Sequence, residues 1–222
     1  MRLVIVSDTH EKHSKLSIPD GDILIHCGDW TNQGNTNKMK DFLSWFSSQP
    51  HNHKIFIAGN HELGLDAGPM RPIKQKIVND FLAQNISLHY LENSSIDIDG
   101  YKIYGSPISP FFNNWAFGAH RGEQISQYWR DIPNEINILL THGMPFGIFD
   151  EVPSSYFDLP NEHIGCEALR DRIDQLSNLI LFAGGHIHNQ NGVANLDNRI
   201  FVNAAVVNER HEVIHDPIVI DI

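Results

Sequence analysis

Five short apolar runs, each ending in a polar or glycine-bearing cluster, constrain this chain more than any other feature. They are RLVIVSD (2–8), DILIHCGD (22–29), HKIFIAGN (53–60), NILLTHG (137–143) and LILFAGGH (179–186). Their apolar residues are consecutive rather than alternating, which predicts strands covered on both faces. Helical spacing recurs between them. In 36–49, Met39, Phe42, Leu43 and Phe46 fall on one face, and 73–84, 120–132 and 167–177 read the same way. Strands alternating with helices predict an α/β core, mostly parallel at first. A hairpin is expected over 95–105, with Asp99 and Gly100 at its turn. Further strands at 199–206 and 217–222 imply a second or mixed sheet.

The chain has 222 residues, no repeats and no composition break, so one domain over 1–222 is expected. Sixteen basic residues against 27 acidic ones give a formal charge of −11. A groove for long nucleic acid advertises itself as a basic surface, so a small or locally bound substrate is favoured. The two cysteines, Cys27 and Cys166, form no CxxC pair, and a disulfide framework is implausible at this count. The N-terminal apolar stretch is too short for a signal peptide. No segment approaches the ~20 apolar residues that span a bilayer. A soluble, cytoplasmic protein is expected.

The polar ends of the five runs carry the chemistry. They read Asp8-Thr9-His10, Gly28-Asp29, Gly59-Asn60-His61-Glu62, Thr141-His142-Gly143 and Gly185-His186-Ile187-His188. In open α/β sheets, ligands bind beyond the carboxyl ends of the strands. Asp8, His10, Asp29, Asn60, His142, His186 and His188 are all nitrogen or oxygen donors. Such a set suits Mn, Fe, Zn, Ni or Mg. Seven donors are too many for one ordinary ion. They suit two ions that share a carboxylate and a solvent molecule, roughly 3.5–4 Å apart. Taken singly, Asp8 and Asp29 would read as helix caps, Asn60 as a turn residue and His142 as a core histidine. Their joint occurrence at five strand ends argues against independent structural roles.

The ordered blocks DTH, GDW, GNHE, THG and GHIH, spanning 8–188, resemble the calcineurin-like metallophosphoesterase superfamily. HCGDWT, GNHELGLD, GCEAL and the tail from Phe201 extend the likeness, over nearly the whole chain, to its metallophosphoesterase-domain-containing (MPPED-like) branch. The chain departs from that branch at HGMP, where a double proline is usual, and at HNQNG, which lacks an aromatic.

The resemblance implies a four-layer α-β-β-α sandwich of two mixed sheets. It implies that Asp8, His10 and His188 bind one divalent metal, that Asn60, His142 and His186 bind a second, and that Asp29 bridges them. Manganese is the expected ion, with Fe, Zn or Ni as alternatives. Asn60 and His61 would meet the substrate. His61 would stabilise charge or protonate the leaving oxygen, since an imidazole titrates near neutrality. A bridging hydroxide would attack in line. Two divalent cations outweigh Asp8, Asp29 and that hydroxide, so an acidic protein can still present a positive site to phosphate. The implied activity is cleavage of a small phosphodiester, of cyclic-nucleotide type or another. Phosphomonoesterase or phosphoprotein phosphatase activity is the alternative, and a non-catalytic scaffold on the same fold is the rival of another class.

The remaining nine histidines, His211 among them, take ordinary structural readings. His26 is expected to be buried and hydrogen-bonded. Glu62 is given a capping or ligand-supporting role, and Arg71 and Arg121 surface or helix-start roles. The loop 105–118, with four aromatics, either lines a cleft or is pinned to the core by them.

Overall fold

The computed structural model describes residues 1–153 and 162–222. One sheet contains β1 (Arg2–Val6), β2 (Ile23–His26), β3 (His53–Phe56) and β4 (Leu88–Tyr90), all parallel. Two strands that begin the second sheet follow in sequence, β5 (Ser94–Ile98) and β6 (Tyr101–Ser106). They form the expected hairpin, with Asp99 and Gly100 both at positive φ, as a two-residue primed turn requires. A short pair, β7 (Ser109–Pro110) and β8 (Gly118–Ala119), brackets the aromatic loop. Then come β9 (Ile138–Thr141), a second short pair, β10 (Glu151–Val152) and β11 (Glu162–His163), and β12 (Leu181–Gly184). The chain closes with β13 (Gly192–Leu196), β14 (Arg199–Asn203) and β15 (Ile218–Asp221).

The first sheet runs β15-β1-β2-β3-β4, with β15 antiparallel at its edge. The second runs β13-β14-β12-β9-β6-β5, parallel in the middle and antiparallel at both edges. Helices α1 (Thr36–Ser47) and α2 (Arg71–Gln84) cover the first sheet. Helices α3 (Glu123–Arg130) and α4 (Glu167–Gln175) cover the second. The layers are α-β-β-α, and both sheets are mixed.

The apolar runs are continuous because alternate residues enter two different cores. Leu3, Ile5, Ile25 and Ile55 meet Ile138, Leu140, Leu181 and Val202 between the sheets. Val4, Leu24 and Phe56 turn the other way, onto Met39, Phe42 and Phe46 of α1. Leu139 and Phe182 do the same toward α3 and α4. Asn35 caps α1 by accepting from the backbone N–H groups of Asn37 and Lys38, a contribution of about 1 kcal/mol.

The packing brings the carboxyl ends of both sheets to one place. The backbone of Ser7, just past β1, bridges in parallel to Ala205, just past β14. Ser7 donates to the Ala204 carbonyl at 2.8 Å, and Val206 donates to the Ser7 carbonyl at 3.1 Å. The segments after β1, β2, β3, β9 and β12 therefore share one end of the sandwich.

Candidate metal centre

Every residue singled out from the sequence lies at that end. Asp8, His10, Asp29 and His142 are essentially inaccessible, and Asn60 nearly so. Asp8, His10, Asp29 and His186 all have positive φ. Non-glycine residues adopt that conformation rarely, at roughly 1–3 kcal/mol each, and such strain clusters at functional sites. The glycines beside them are close-approach positions. A Cβ on Gly59 would run into the Asp29 carboxylate, and one on Gly185 into Asp8 and Ser7.

Two groups of donors face each other. In one, His10 Nε2 and His188 Nε2 stand 3.3 Å apart, and His188 Nε2 lies 3.4 Å from Asp8 Oδ1. In the other, His142 Nε2 lies 2.9 Å from Asn60 Oδ1, and the His186 ring packs 5.0 Å from the His142 ring. Asp29 sits between them. Its Oδ1 accepts from the His61 backbone N–H at 2.8 Å. Its Oδ2 is 3.1 Å from His142 Nε2 and 3.9 Å from His10 Nε2.

These side chains fit metal ions on their own chemistry. Asp8 and Asp29 are buried carboxylates, and among the described residues only histidines pair with them. Buried charge without a cation is costly. Asp8 Oδ1 and His10 Nδ1 are buried with no hydrogen-bond partner. The ligating atoms of Asp29, His142 and His186 lie within 4.8 Å of one another, as do those of His10, Asp29 and His61, and of His10, His188 and His211.

Protonation follows the same geometry. Burial opposes ionisation of Asp8, but His188, whose Nε2 lies 3.4 Å from its Oδ1, and the nearby His142 hold it below the usual carboxylate range. Asp29 is likewise held low, chiefly by His142, against its burial. Burial works against a charge on His142, yet the charge and hydrogen bond of Asp29 push it up to about 10. Burial pushes His10 down to about 3, against the pull of Asp29 and Asp8. Burial and His142 push His186 down to about 4.

Glu62 organises the loops around this centre. Its Oε2 accepts from the backbone N–H groups of Gly59 (2.7 Å) and Asp29 (3.0 Å), and its Oε1 from Thr31 N (2.9 Å) and Thr31 Oγ1 (3.0 Å). Burial and Asp29 push its carboxyl up to about 8, against those donors. His61 points elsewhere than Asn60. Its Nδ1 lies 2.6 Å from the Asn32 carbonyl, its Nε2 lies 3.9 Å from Asp29 Oδ2, and its ring packs 4.1 Å from that of Trp115.

The aromatic loop does both things that its composition allowed. Phe117 is buried, and its N–H bonds to Asp66 Oδ2. Phe111 and Phe112 are half-exposed and line a cleft of about 540 Å³, which reaches His61, His186 and His188. Other readings hold as well. His26 bonds to Thr9 Oγ1 at 3.0 Å. Arg71 and Arg121 are tied to backbone carbonyls and to Glu92 and Glu167.

His211 departs from its structural reading: it stacks on His10 at 3.8 Å. None of the five blocks contains it, so only tertiary proximity reveals it. Asn32, which anchors His61, was equally hidden, whereas Trp115, which packs on it, belongs to the aromatic loop.

Comparison with known proteins agrees with this architecture. The family model described as calcineurin-like phosphoesterase matches residues 1–190. The human metallophosphoesterase domain-containing protein 1 is 35% identical over 238 aligned positions, covering 100% of this chain and 71% of its own length. A UPF0046 protein of Caenorhabditis elegans is 36% identical, over 100% of this chain and 81% of its own. The crystal structure of TT1561 of Thermus thermophilus shares the fold, with a TM-score of 0.60 at 14% identity, covering 91% of this chain and 88% of that one. On its sequence, its layers and these relatives, the chain belongs to the calcineurin-like phosphoesterase family, with relatives in the metallophosphoesterase-domain-containing branch.

Proposed function

We propose that residues 1–222 form one metallophosphoesterase domain that binds two divalent cations, manganese first among them, and hydrolyses a small phosphodiester. The observation that carries this reading is the position of Asp29. Its Oδ2 lies between the Asn60–His142 pair and the His10–His188 pair, within 3.9 Å of each. One carboxylate with donors on both sides suits two neighbouring ions better than one.

Asp8, His10 and His188 would hold the first ion; Asn60, His142 and His186 the second; Asp29 would touch both. When bound, the ions supply a nucleophile at neutral pH and offset charge on the phosphoryl oxygens. The chain does the rest. The Cys27 carbonyl lies 2.9 Å from His142 Nδ1. It accepts a hydrogen bond from Nδ1–H and leaves Nε2 as the ligating atom, the usual way a carbonyl fixes a ligand's tautomer. The Asn32 carbonyl likewise accepts from Nδ1–H of His61, so Nε2 is the nitrogen left to act, and in the imidazolium form it would give its proton to a leaving oxygen. Trp115 covers the other side of that ring and limits its rotation.

The diester preference rests on space. The cleft of about 540 Å³ continues past His186 and His188 between Phe111, Phe112 and Ile164, which leaves room for a second ester arm. Small-molecule sites fall in this volume range. Among the described residues no helix is long and apolar enough to cross a membrane. Both cysteines are free and buried, which favours a reducing, cytoplasmic setting.

The test compares bis-p-nitrophenyl phosphate with p-nitrophenyl phosphate on purified protein, with and without Mn²⁺, alongside metal analysis. Two ions per chain and faster diester cleavage are expected. Faster monoester cleavage would replace the substrate class with a phosphomonoesterase. Two bound ions with no turnover of either ester would favour a scaffold.

A further inference from the structure

We infer that His211 is a substrate-contacting residue of this centre, donating a hydrogen bond to an oxygen of the bound phosphoester beside His10 and His188. The inference rests on the metallophosphoesterase reading above and adds to it a residue from outside the five sequence blocks.

The chain builds a rigid turn to present this side chain. Asn208 Oδ1 accepts from the backbone N–H groups of Arg210 (2.9 Å) and Glu212 (3.0 Å). The Asn208 N–H bonds to the Glu212 carbonyl at 3.0 Å, and the His211 N–H to the Asn208 carbonyl at 2.8 Å. Val207 bridges to Val213 across the turn's base. Buried Val206 and Val207 pack with Val6 of β1, which leads into Asp8. His211 itself has φ of 55°, the same left-handed backbone as Asp8, His10, Asp29 and His186.

The ring is placed where phosphate would come. It lies parallel to His10, centroids 3.8 Å apart and planes within 10°, and is 5.6 Å from His188 and 6.1 Å from His61. One of its ring nitrogens lies within 4.8 Å of ligating atoms of His10 and His188, but the parallel stack directs the in-plane lone pairs of His10 and His211 along offset lines rather than to one point, which argues against a shared ion. It also lines the cleft together with His61, His186 and His188.

Its ring nitrogens make no hydrogen bond among the described residues, so both are available. Other cleft-lining donors are spoken for. Arg121 donates to the carbonyls of Gly165 and Ile164 at 2.6 Å each and pairs with Glu167. Asn189 donates to the Glu151 carbonyl at 3.2 Å. A phosphoester bound here finds no free lysine or arginine among the described cleft-lining residues, and its outer oxygens need donors. His211 supplies one opposite His61.

The test uses the full chain loaded with Mn²⁺ and inorganic phosphate as the probe, by calorimetry, with metal content measured in parallel. His211→Phe keeps the stack and removes the nitrogens; His211→Asn restores a donor. Expected results are unchanged Mn²⁺ stoichiometry, phosphate affinity weakened at least about tenfold in His211→Phe, and partial recovery in His211→Asn. The KM for bis-p-nitrophenyl phosphate should rise more than kcat falls. Phosphate binding as tight in His211→Phe as in the parent would overturn the inference and leave the enzyme reading intact. Loss of Mn²⁺ in His211→Phe would overturn it in favour of a metal ligand. A parent chain that binds neither Mn²⁺ nor phosphate would sink the metallophosphoesterase reading itself, and this inference with it.

Discussion

The two halves of the centre are built differently. The Asn60–His142 half is satisfied by the protein alone. His142 is held at both nitrogens, by the Cys27 carbonyl on one side and by Asn60 and Asp29 on the other. The loops beneath it hang on four donors to Glu62. The Asp8–His10–His188 half is not. Asp8 Oδ1 and His10 Nδ1 lack hydrogen-bond partners, and two histidine nitrogens meet at 3.3 Å across 178 residues of sequence. One half is held by its own hydrogen bonds. The other has donors whose natural partner is a cation.

Asp29 is where the comparison is most easily broken. On the proposed assignment, Asp29→Ala should empty both halves: metal analysis should find less than one ion per chain, and diesterase turnover should fall to the uncatalysed background. Retention of one full equivalent would mean that the halves are independent sites. His61→Ala should touch neither half. Both ions should remain while turnover of an alkyl ester with a poor leaving group falls about 10²- to 10⁴-fold, the usual range for a general acid. Full activity on such an ester would remove His61 from its role.

A pH series sharpens the protonation contrast. His142 is pushed up to about 10 by Asp29, against its burial, and His188 is raised by Asp8, also against its burial. His142 therefore leans toward the protonated form in the metal-free chain at neutral pH, and His188 is shifted in the same direction. Binding at their nitrogens must expel those protons. Apparent Mn²⁺ affinity should rise with pH from 6 to 8, by about tenfold per pH unit for each proton released. Calorimetry in buffers of different ionisation enthalpy counts the protons; a pH-independent affinity would contradict the assignment. The smallest effect is expected in hydrogen exchange. Metal removal should speed exchange around 8–11 and 186–190, on the order of tenfold or less. The amides of Gly59 and His61, bonded to Glu62 and Asp29, should change little.

Much of this was legible in the sequence for a definite reason. A strand covered on both faces must be apolar throughout, so Leu3 to Val6 or Leu181 to Ala183 announce themselves. Asp, His and Asn at strand ends stand out as candidate donors, so Asp8, Asp29 and His142 do too. What escaped has no such local mark. His211 stands 201 positions from His10, in a segment (NERHEV) whose turn chemistry says nothing of what lies opposite. Asn32 acts through a carbonyl that any residue possesses. Glu62, by contrast, reads as a capping or ligand-supporting residue, and both its oxygens accept from loop backbone.

The sequence by itself determined the layer type, the strand ends that carry the chemistry, the family and the candidate donors, because periodicity and residue chemistry are local properties. Only the tertiary structure decided which candidate donors lie on either side of Asp29, which of them find hydrogen-bond partners within the protein, and that His211 stacks on His10. Those outcomes depend on how two sheets dock. The bridge from Ser7 to Ala205, more than any run of residues, sets what faces what.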